Sequence, residues 1–447
     1  MKHVCALLIG LALTALPLVS VAADVLSDAR SAYEHQQYAE ALKILDRLIT
    51  PDSSPPGALE LRLKVYLKLR QADKALSDYQ RLSERNPKED EKLLRDLCVG
   101  LVGSYLGDMR EQVRGAAVTA LKEMGGADTM ALMEEALADS SGLIRALAVE
   151  AIGREADADR GMRLQKLLSD PAALVRAAVL RALGEAGDRQ AVPQIERALN
   201  DEQPRVRAAA AVALVMLGRP EALNSALDAL KNPKPDERAA VLHMLGHLKD
   251  ERVVGPLLAA LSDTQPVVRA TAAGILAERK EMKAVVPITA LLKDAVPLVR
   301  GAAAMCLAAL QGPQAAALIE PLLREPIGPV SAEAAAALLP YRPPAAEPVL
   351  RAVMQSPDPG VRSGLAKALG QTRSPAALPF LLELVRDSTP RPRIVAIRYL
   401  GHLGTTQHVA VLKPILNDAD IAVRVTAAGA IGRLLERGQP PISERPG

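Results

Sequence analysis

Asp170-Pro-Ala-Ala-Leu-Val-Arg176-Ala-Ala-Val-Leu-Arg-Ala-Leu-Gly184 holds an acid, an arginine six positions later, and an Ala-rich apolar run closing on Leu183-Gly184. Stepping from Arg176 by 31 residues in both directions finds Arg114, Arg145, Arg207, Arg238, Arg269, Arg300, Arg362, Arg393 and Arg424, with Ser331 the exception. Seven residues beyond each point stands a branched apolar residue, from Leu121, Ile152 and Leu183 through Leu214, Leu245, Leu276, Leu307, Leu338, Leu369 and Leu400 to Ile431. Eleven hits in one frame exclude coincidence. A fixed period of this length means stacked supersecondary units, each burying its apolar face against the next.

Composition agrees with thin stacked helix pairs rather than large globular cores. Aromatic residues make up 2% of the chain, with Phe380 the one Phe and no Trp, while 33 Pro and 29 Gly suit many short helices. Lys+Arg 55 against Asp+Glu 52 leaves +3. Such a balance, without aromatic stacking platforms, argues against nucleic acid as a partner.

Residues 1–23 read as a cleavable secretory signal: Lys2 and His3, an apolar core from Val4 to Val19, then small residues from Ser20 to Ala23. The run is short for a membrane anchor. The chain is therefore expected to be exported, periplasmic or secreted, with no stable membrane anchor. Cleavage leaves Cys98 and Cys306, more than six repeat units apart. At about 10 Å per helix layer they are out of reach of a disulfide, and both read as buried small hydrophobes.

Residues 24–90 follow a different period. Tyr38-Ala-Glu-Ala41 with Leu45 is echoed by Ala72-Asp-Lys-Ala75 with Tyr79, so that Ala75 stands in the second unit where Ala41 stands in the first, and Asn86-Pro87 closes the second unit. Small residues let two antiparallel helices approach, and proline ends the unit. The pattern resembles the tetratricopeptide family, with Ala41 and Ala75 at its small position, Tyr79 at its bulky one and Pro87 at its terminal proline. The other reading is a pair of helical hairpins that caps the array.

From residue 91 to 436 each unit reads as a short helix, an acidic turn, a second helix and a break. In Ala191-Val-Pro-Gln-Ile-Glu-Arg-Ala-Leu199 the proline sits in the first turn, where its missing N–H costs nothing. The acid six before the register arginine is Asp at 108, 139, 170, 201, 263, 294, 387 and 418, replaced by Asn232, Glu325 and Ser356 elsewhere. It is placed to cap the second helix. Together with prolines 193, 348 and 379 in first helices, these pairs resemble the HEAT family, and the short unit is similar to its bacterial subgroup named for phycobilisome lyase subunits. The resemblance implies a right-handed α-solenoid, a superhelix of about eleven two-helix repeats on the order of 100 Å along its arc from helix-layer spacing. A loose tail, 437–447, is expected to follow.

Two readings of the arginines compete: an anion-binding track, or a ladder in which acid and arginine join neighbouring turns. Near-equal numbers at a fixed offset favour the ladder, built from Asp139, Arg145, Asp170, Arg176, Asp201, Arg207, Asp263, Arg269, Asp294, Arg300, Asp387, Arg393, Asp418 and Arg424. Loss of Arg207 is then expected to lower thermal stability more than a change at the non-repeating Arg181. His243 and His247 lie i, i+4, a spacing able to bind zinc, but no third ligand is evident in the sequence. Neither catalytic residues nor a cofactor are expected, and no metal.

Five and nine residues after each register point the identities vary, which marks exposure. In HEAT-like arrays the second helix lines the concave face, so Arg181, Val212, Met216, His243, His247, Met305, Ala309, Lys367 and Arg398 are expected to pave a partner-binding groove, apolar in its middle and polar at its ends. Tighter curvature would instead bury the apolar members. Repeat eight, with Ser331 and the prolines that follow, is expected to be a hinge. The function expected is a non-catalytic protein-interaction scaffold or assembly factor in the bacterial envelope, its partner a protein or peptide of unknown identity. The alternative is an enzyme-associated relative, a bilin-lyase-like subunit or an oxidoreductase-type family member.

Overall fold

Proline opens most second helices, at Pro204, Pro235, Pro266, Pro297, Pro359 and Pro390. Its fixed φ suits the first helical position, and its ring holds the preceding residue extended, as at Gln203 (φ −92°, ψ 125°). A computed structural model describes residues 23–50, 54–85, 90–154 and 160–438, with no strand among them. The protein is an all-α solenoid. The expected signal peptide up to residue 22, Pro87 and the tail from 439 lie outside the described residues.

The chain forms two compact units, Met1–Met109 and Arg110–Gly447. Helix Glu91–Ser104, which the repeat register assigns to the array, belongs to the first unit, so the division falls later in the chain than the change of period. It packs there on Pro56–Lys68 and Ala72–Arg85, and a Cβ at Gly100 would stand 2.7 Å from Leu67.

Helices 23–34, Tyr38–Leu48, Pro56–Lys68 and Ala72–Arg85 make up the rest of the first unit. Ala41, Leu45 and Ala75 are fully buried and Tyr79 nearly so. The period that relates Ala41 to Ala75 also recurs in the backbone. Gln36 and Arg70 both take positive φ, and the following amides, Gln37 and Gln71, reach back to the carbonyls of Ala32 and Tyr66 at 2.8 Å. Both turns are the same left-handed helix ending. Arg62 braces the unit, its guanidinium donating to Asp78 and to Asp46 at 2.7–2.8 Å.

In the second unit the eleven register positions, ten arginines and Ser331, lie on eleven long helices, from Glu111–Met124 in repeat one and Gly142–Ile152 in repeat two to Pro390–Leu403 in repeat ten and Ile421–Gly438 in repeat eleven. The first helices are brief, commonly a 3-10 turn and about two helical turns, as in Arg189–Ala191 and Val192–Ala198. Each long helix packs against the next, and the short helices cover this layer from outside. Glycine eight residues past the register point permits close approach. A Cβ at Gly246 would lie 2.7 Å from Ile275, and one at Gly401 2.8 Å from Ala430.

The layer closes. Ile421–Gly438 of repeat eleven packs on Glu111–Met124 of repeat one more extensively than most successive long helices pack on each other. At regular interfaces the glycine at +8 meets +6 of the next helix; here Gly429, at +5, meets Ala120, at +6, and Gly432, at +8, meets Met124, at +10. The closing helices are thus offset by three to four residues, one helical turn. The array is a shallow spiral whose rise is absorbed at this seam. Eleven helices about 9 Å apart have a circumference of roughly 100 Å, hence about 30 Å between opposite axes and about 20 Å of free opening.

Arginines stitch successive repeats. In repeat two the Arg145 Nε and Nη2 donate to the two carboxylate oxygens of Asp170 at 2.8 and 2.6 Å, while Nη1 donates back to the Asp139 carbonyl at 2.7 Å. The same fork joins Arg114 to Asp139, Arg176 to Asp201, Arg238 to Asp263, Arg269 to Asp294, Arg300 to Glu325 and Arg362 to Asp387, and Arg393 meets Asp418 through Nη2. The acid always belongs to the next repeat, at a constant offset from the arginine. It accepts as well from the amide two residues on, as Asp170 does from Ala172 at 2.8 Å. That amide belongs to the residue preceding the helix, so the acid closes a turn ahead of the second helix rather than capping its first turn, where sequence had placed it.

Arg207 departs from the ladder. Its Nη1 donates to the carbonyls of Asp201 and Glu202 at 2.7 and 3.0 Å, but Asn232 takes the place of the next repeat's acid, and the arginine side chain is exposed. The expected contrast with Arg181 is therefore misplaced, since Arg181 pairs with Glu150 at 2.6 Å. Repeat eight also differs. Ser331 is fully buried; its hydroxyl donates toward the carbonyls of Pro326 and Gly328 and accepts from the Gly328 amide at 3.0 Å. Its helix, Pro329–Leu338, packs on both neighbours without a break. Local hydroxyl bonds replace the missing guanidinium, and a closed layer leaves a hinge nowhere to swing while the seam holds. The Pro297–Arg324 segment is apolar enough to cross a membrane by length and composition, yet Gly312 (φ 59°) breaks it into elements of adjoining repeats.

Candidate partner-binding surface

Positions −2, +2, +5 and +9 from the register point are spaced four, three and four residues apart, so they share one face of each long helix. That face turns to the opening. At +2 five of the eleven residues are Ala and the others vary, among them Leu147, Glu333 and Val395, so all four positions define the wall.

Curvature buries part of the expected groove. Val212 is 2% exposed and Ala336 fully buried, both covered by the long helices packed on either side. Neither can touch a partner. Met216 and Met305 are half-buried, while Ala309, Lys367, His243 and His247 are exposed. Although His243 reaches solvent, partial desolvation of its imidazole among neighbouring side chains lowers its pKa below the ordinary value, Glu278 opposing this and His247 adding to it. Among the described residues no three His, Cys, Asp or Glu side chains converge as a metal cluster would require.

The polar ends of the expected groove meet one another. Arg398 of repeat ten reaches Glu123 of repeat one at 3.1 Å, His402 lies 4.0 Å from the same carboxylate, and the Arg433 Nη1 donates to the Glu123 carbonyl at 2.8 Å. What reads in sequence as two polar termini is one seam. Arg181, too, is engaged: with Lys122 at 2.8 Å it flanks Glu150. Burial pushes the Glu150 carboxyl up, but the two cations outweigh it and the net shift is downward.

Exposed apolar residues stand instead at position −2, near the start of each long helix. Leu143 is 50% exposed and Leu174 37%, in repeats two and three; Val267 and Leu298, in repeats six and seven, are 36% and 51% exposed. Arg205 and Asp236 occupy the same place in the two intervening repeats, and Gln112 in repeat one. The opening thus has two apolar arcs at one rim separated by polar positions. Sequence reasoning passed over them because it took variability only after the arginine; seven residues before +5, on the same face, was the available signal.

Repeat eight places one further group on this wall. Glu333 is the one carboxylate at position +2, in the space left by Gly301 of the preceding repeat. Burial raises its carboxyl to a pKa of about 7, with Lys367 opposing. The nearby Cys306 is buried, and its thiol is pushed up to about 12, chiefly by burial.

A family model for HEAT repeats matches residues 162–246, 223–288, 254–339, 328–393 and 380–441, which together span most of the chain. The chain belongs to the HEAT repeat family. No curated protein matches it. Among solved structures, the HEAT array is similar to human deoxyhypusine hydroxylase in complex with glycerol, at 20% identity over 63% of this chain and 98% of that one, with a TM-score of 0.31. It is also similar to the complex of CpcE and CpcF of phycocyanin lyase from Nostoc sp. PCC7120, at 21% identity over 46% and 92%, with a TM-score of 0.34. A mutant of Kap121p aligns with 81% of this chain and 48% of its own at 15% identity, with a TM-score of 0.33.

Proposed function

We propose that the protein is a non-catalytic interaction scaffold or assembly factor that holds a partner protein against the inner wall of the HEAT ring. The observation that carries this reading is the pair of exposed apolar arcs, Leu143 with Leu174 and Val267 with Leu298, on a wall whose remaining positions do not repeat. Exposed apolar side chains grouped on a concave face are what a partner helix or apolar peptide needs, and an opening of about 20 Å admits a helix of about 10–12 Å diameter. Identical repeats would give identical subsites; varied ones give a sequence-specific surface.

Residence in the bacterial envelope is part of the proposal and rests on the sequence alone, from Lys2 to Ala23. The first unit, whose paired turns at Gln36 and Arg70 support a tetratricopeptide-like reading, is proposed to extend the binding capacity of the scaffold. Affinity capture from an envelope extract tests the whole. The ring with Leu143→Asp, Leu174→Asp, Val267→Asp and Leu298→Asp should lose a partner that wild type retains, at unchanged helix content. An identical set of captured proteins would remove the inner wall from consideration.

A further inference from the structure

The missing rung at repeat four leaves a guanidinium fork facing a cavity. In seven other repeats the arginine Nε and Nη2 are both spent on the carboxylate of the next repeat. In repeat four that position holds Asn232, whose side-chain oxygen still accepts from the Lys234 amide at 2.9 Å, as the aspartates' Oδ1 does in its own turn. The Asn232 Nδ2 therefore occupies the place of the accepting Oδ2. Two donors, that amide and the Arg207 fork, now share a space where the other rungs have donor and acceptor. A cavity of about 490 Å³ opens there, lined by Arg207 and Asn232 with Leu199, Pro204, Asp228 and Lys231. The Lys231 ammonium is paired with Asp228 at 2.8 Å, both exposed, so Arg207 is the uncompensated charge.

We propose that Arg207 and Asn232 form a docking site for a carboxylate supplied from outside the chain, whose two oxygens complete the rung. The eight other rungs show which group fits the fork: each takes one planar carboxylate, bidentate in all but Arg393. The site lies between neighbouring repeats beside the short helices, away from the inner wall, and does not depend on the inner wall binding anything.

Asn232→Asp supplies the carboxylate internally and is the decisive variant. The probe is sodium acetate against sodium chloride at equal ionic strength, read as melting temperature and as the Arg207 Nε–Hε resonance in the full chain. Wild type should be stabilised by acetate and shift that resonance. Asn232→Asp should melt about 2 °C higher without acetate and lose the response. Arg207→Lys, which keeps the charge and loses the fork, should also lose it. A capped Gly-Asp-Gly peptide binding at least tenfold tighter than acetate would assign the carboxylate to a polypeptide; equal binding would assign it to a small acid. Equal stabilisation by acetate and chloride, a response to phosphate but not acetate, or an unchanged response in Asn232→Asp would each overturn the proposal.

Discussion

Gly429→Leu tests the closure of the ring directly. A Cβ at Gly429 would stand 2.8 Å from the Ala120 Cβ and 3.1 Å from its Cα, whereas carbon atoms rest at about 3.5–4.0 Å. Backbone cannot yield as a side-chain tip can, so helix Ile421–Gly438 must retreat by roughly 1 Å for the Cβ alone, and further for the rest of the leucine. Overpacking of this kind costs about 1–3 kcal/mol, and loss of the half-exposed Arg398–Glu123 pair adds up to about 1 kcal/mol. At roughly 2 °C per kcal/mol for a unit of this size, the melting temperature should fall by about 2–8 °C. Gly274→Leu is the control, because nothing lies within 4 Å of a Cβ there and leucine is the better helix former. Hydrogen exchange should quicken in Glu111–Met124 and Ile421–Gly438 together, although they stand at opposite ends of the array in sequence. If Gly429→Leu melts no lower than Gly274→Leu and neither seam helix exchanges faster, the ring is open and the reasoning fails.

Further outcomes follow from the ladder and the wall. Arg362→Ala strands Asp387, 7% exposed, and should cost about 3 kcal/mol in denaturant melts, against about 1 kcal/mol for Arg207→Ala, whose guanidinium is exposed and lacks a carboxylate. Burial opposes ionisation of Asp387, yet Arg362 and the Thr389 amide and hydroxyl hold its carboxyl at about 2, below the ordinary 3.8. The stability it contributes is therefore present above about pH 4 and lost as pH falls towards 2, a window that Asp387→Asn should flatten in acid titration. Glu333 has the opposite sign. Its folded pKa of about 7 lies above the ordinary 4.5, so stability should decline as pH rises between those values, and Glu333→Gln should abolish that decline in pH-dependent melts. Amides of residues 326–348 should exchange no faster than those of repeats three and four; faster exchange would restore a hinge in repeat eight.

Sequence by itself determined the repeat, its length and most of the residues that stitch it, Arg207 being the exception. Register is a local property: an acid, an arginine six later and an apolar residue seven beyond that constrain one turn and one helix face, and every repeat states them again. The same locality explains what was missed. Nothing within a single repeat reveals that repeat eleven meets repeat one, since closure depends on a small rotation per repeat summed eleven times. Glu123 and Arg398 read as opposite polar ends until the tertiary structure joined them. Curvature also decided that Val212 is wall interior while Leu143 and Leu298 face the opening. The vacancy at Asn232 was visible as a broken pattern, but that it leaves two donors before a cavity required the fold. Pattern specifies each interface, and only the accumulated geometry of all of them specifies the surface.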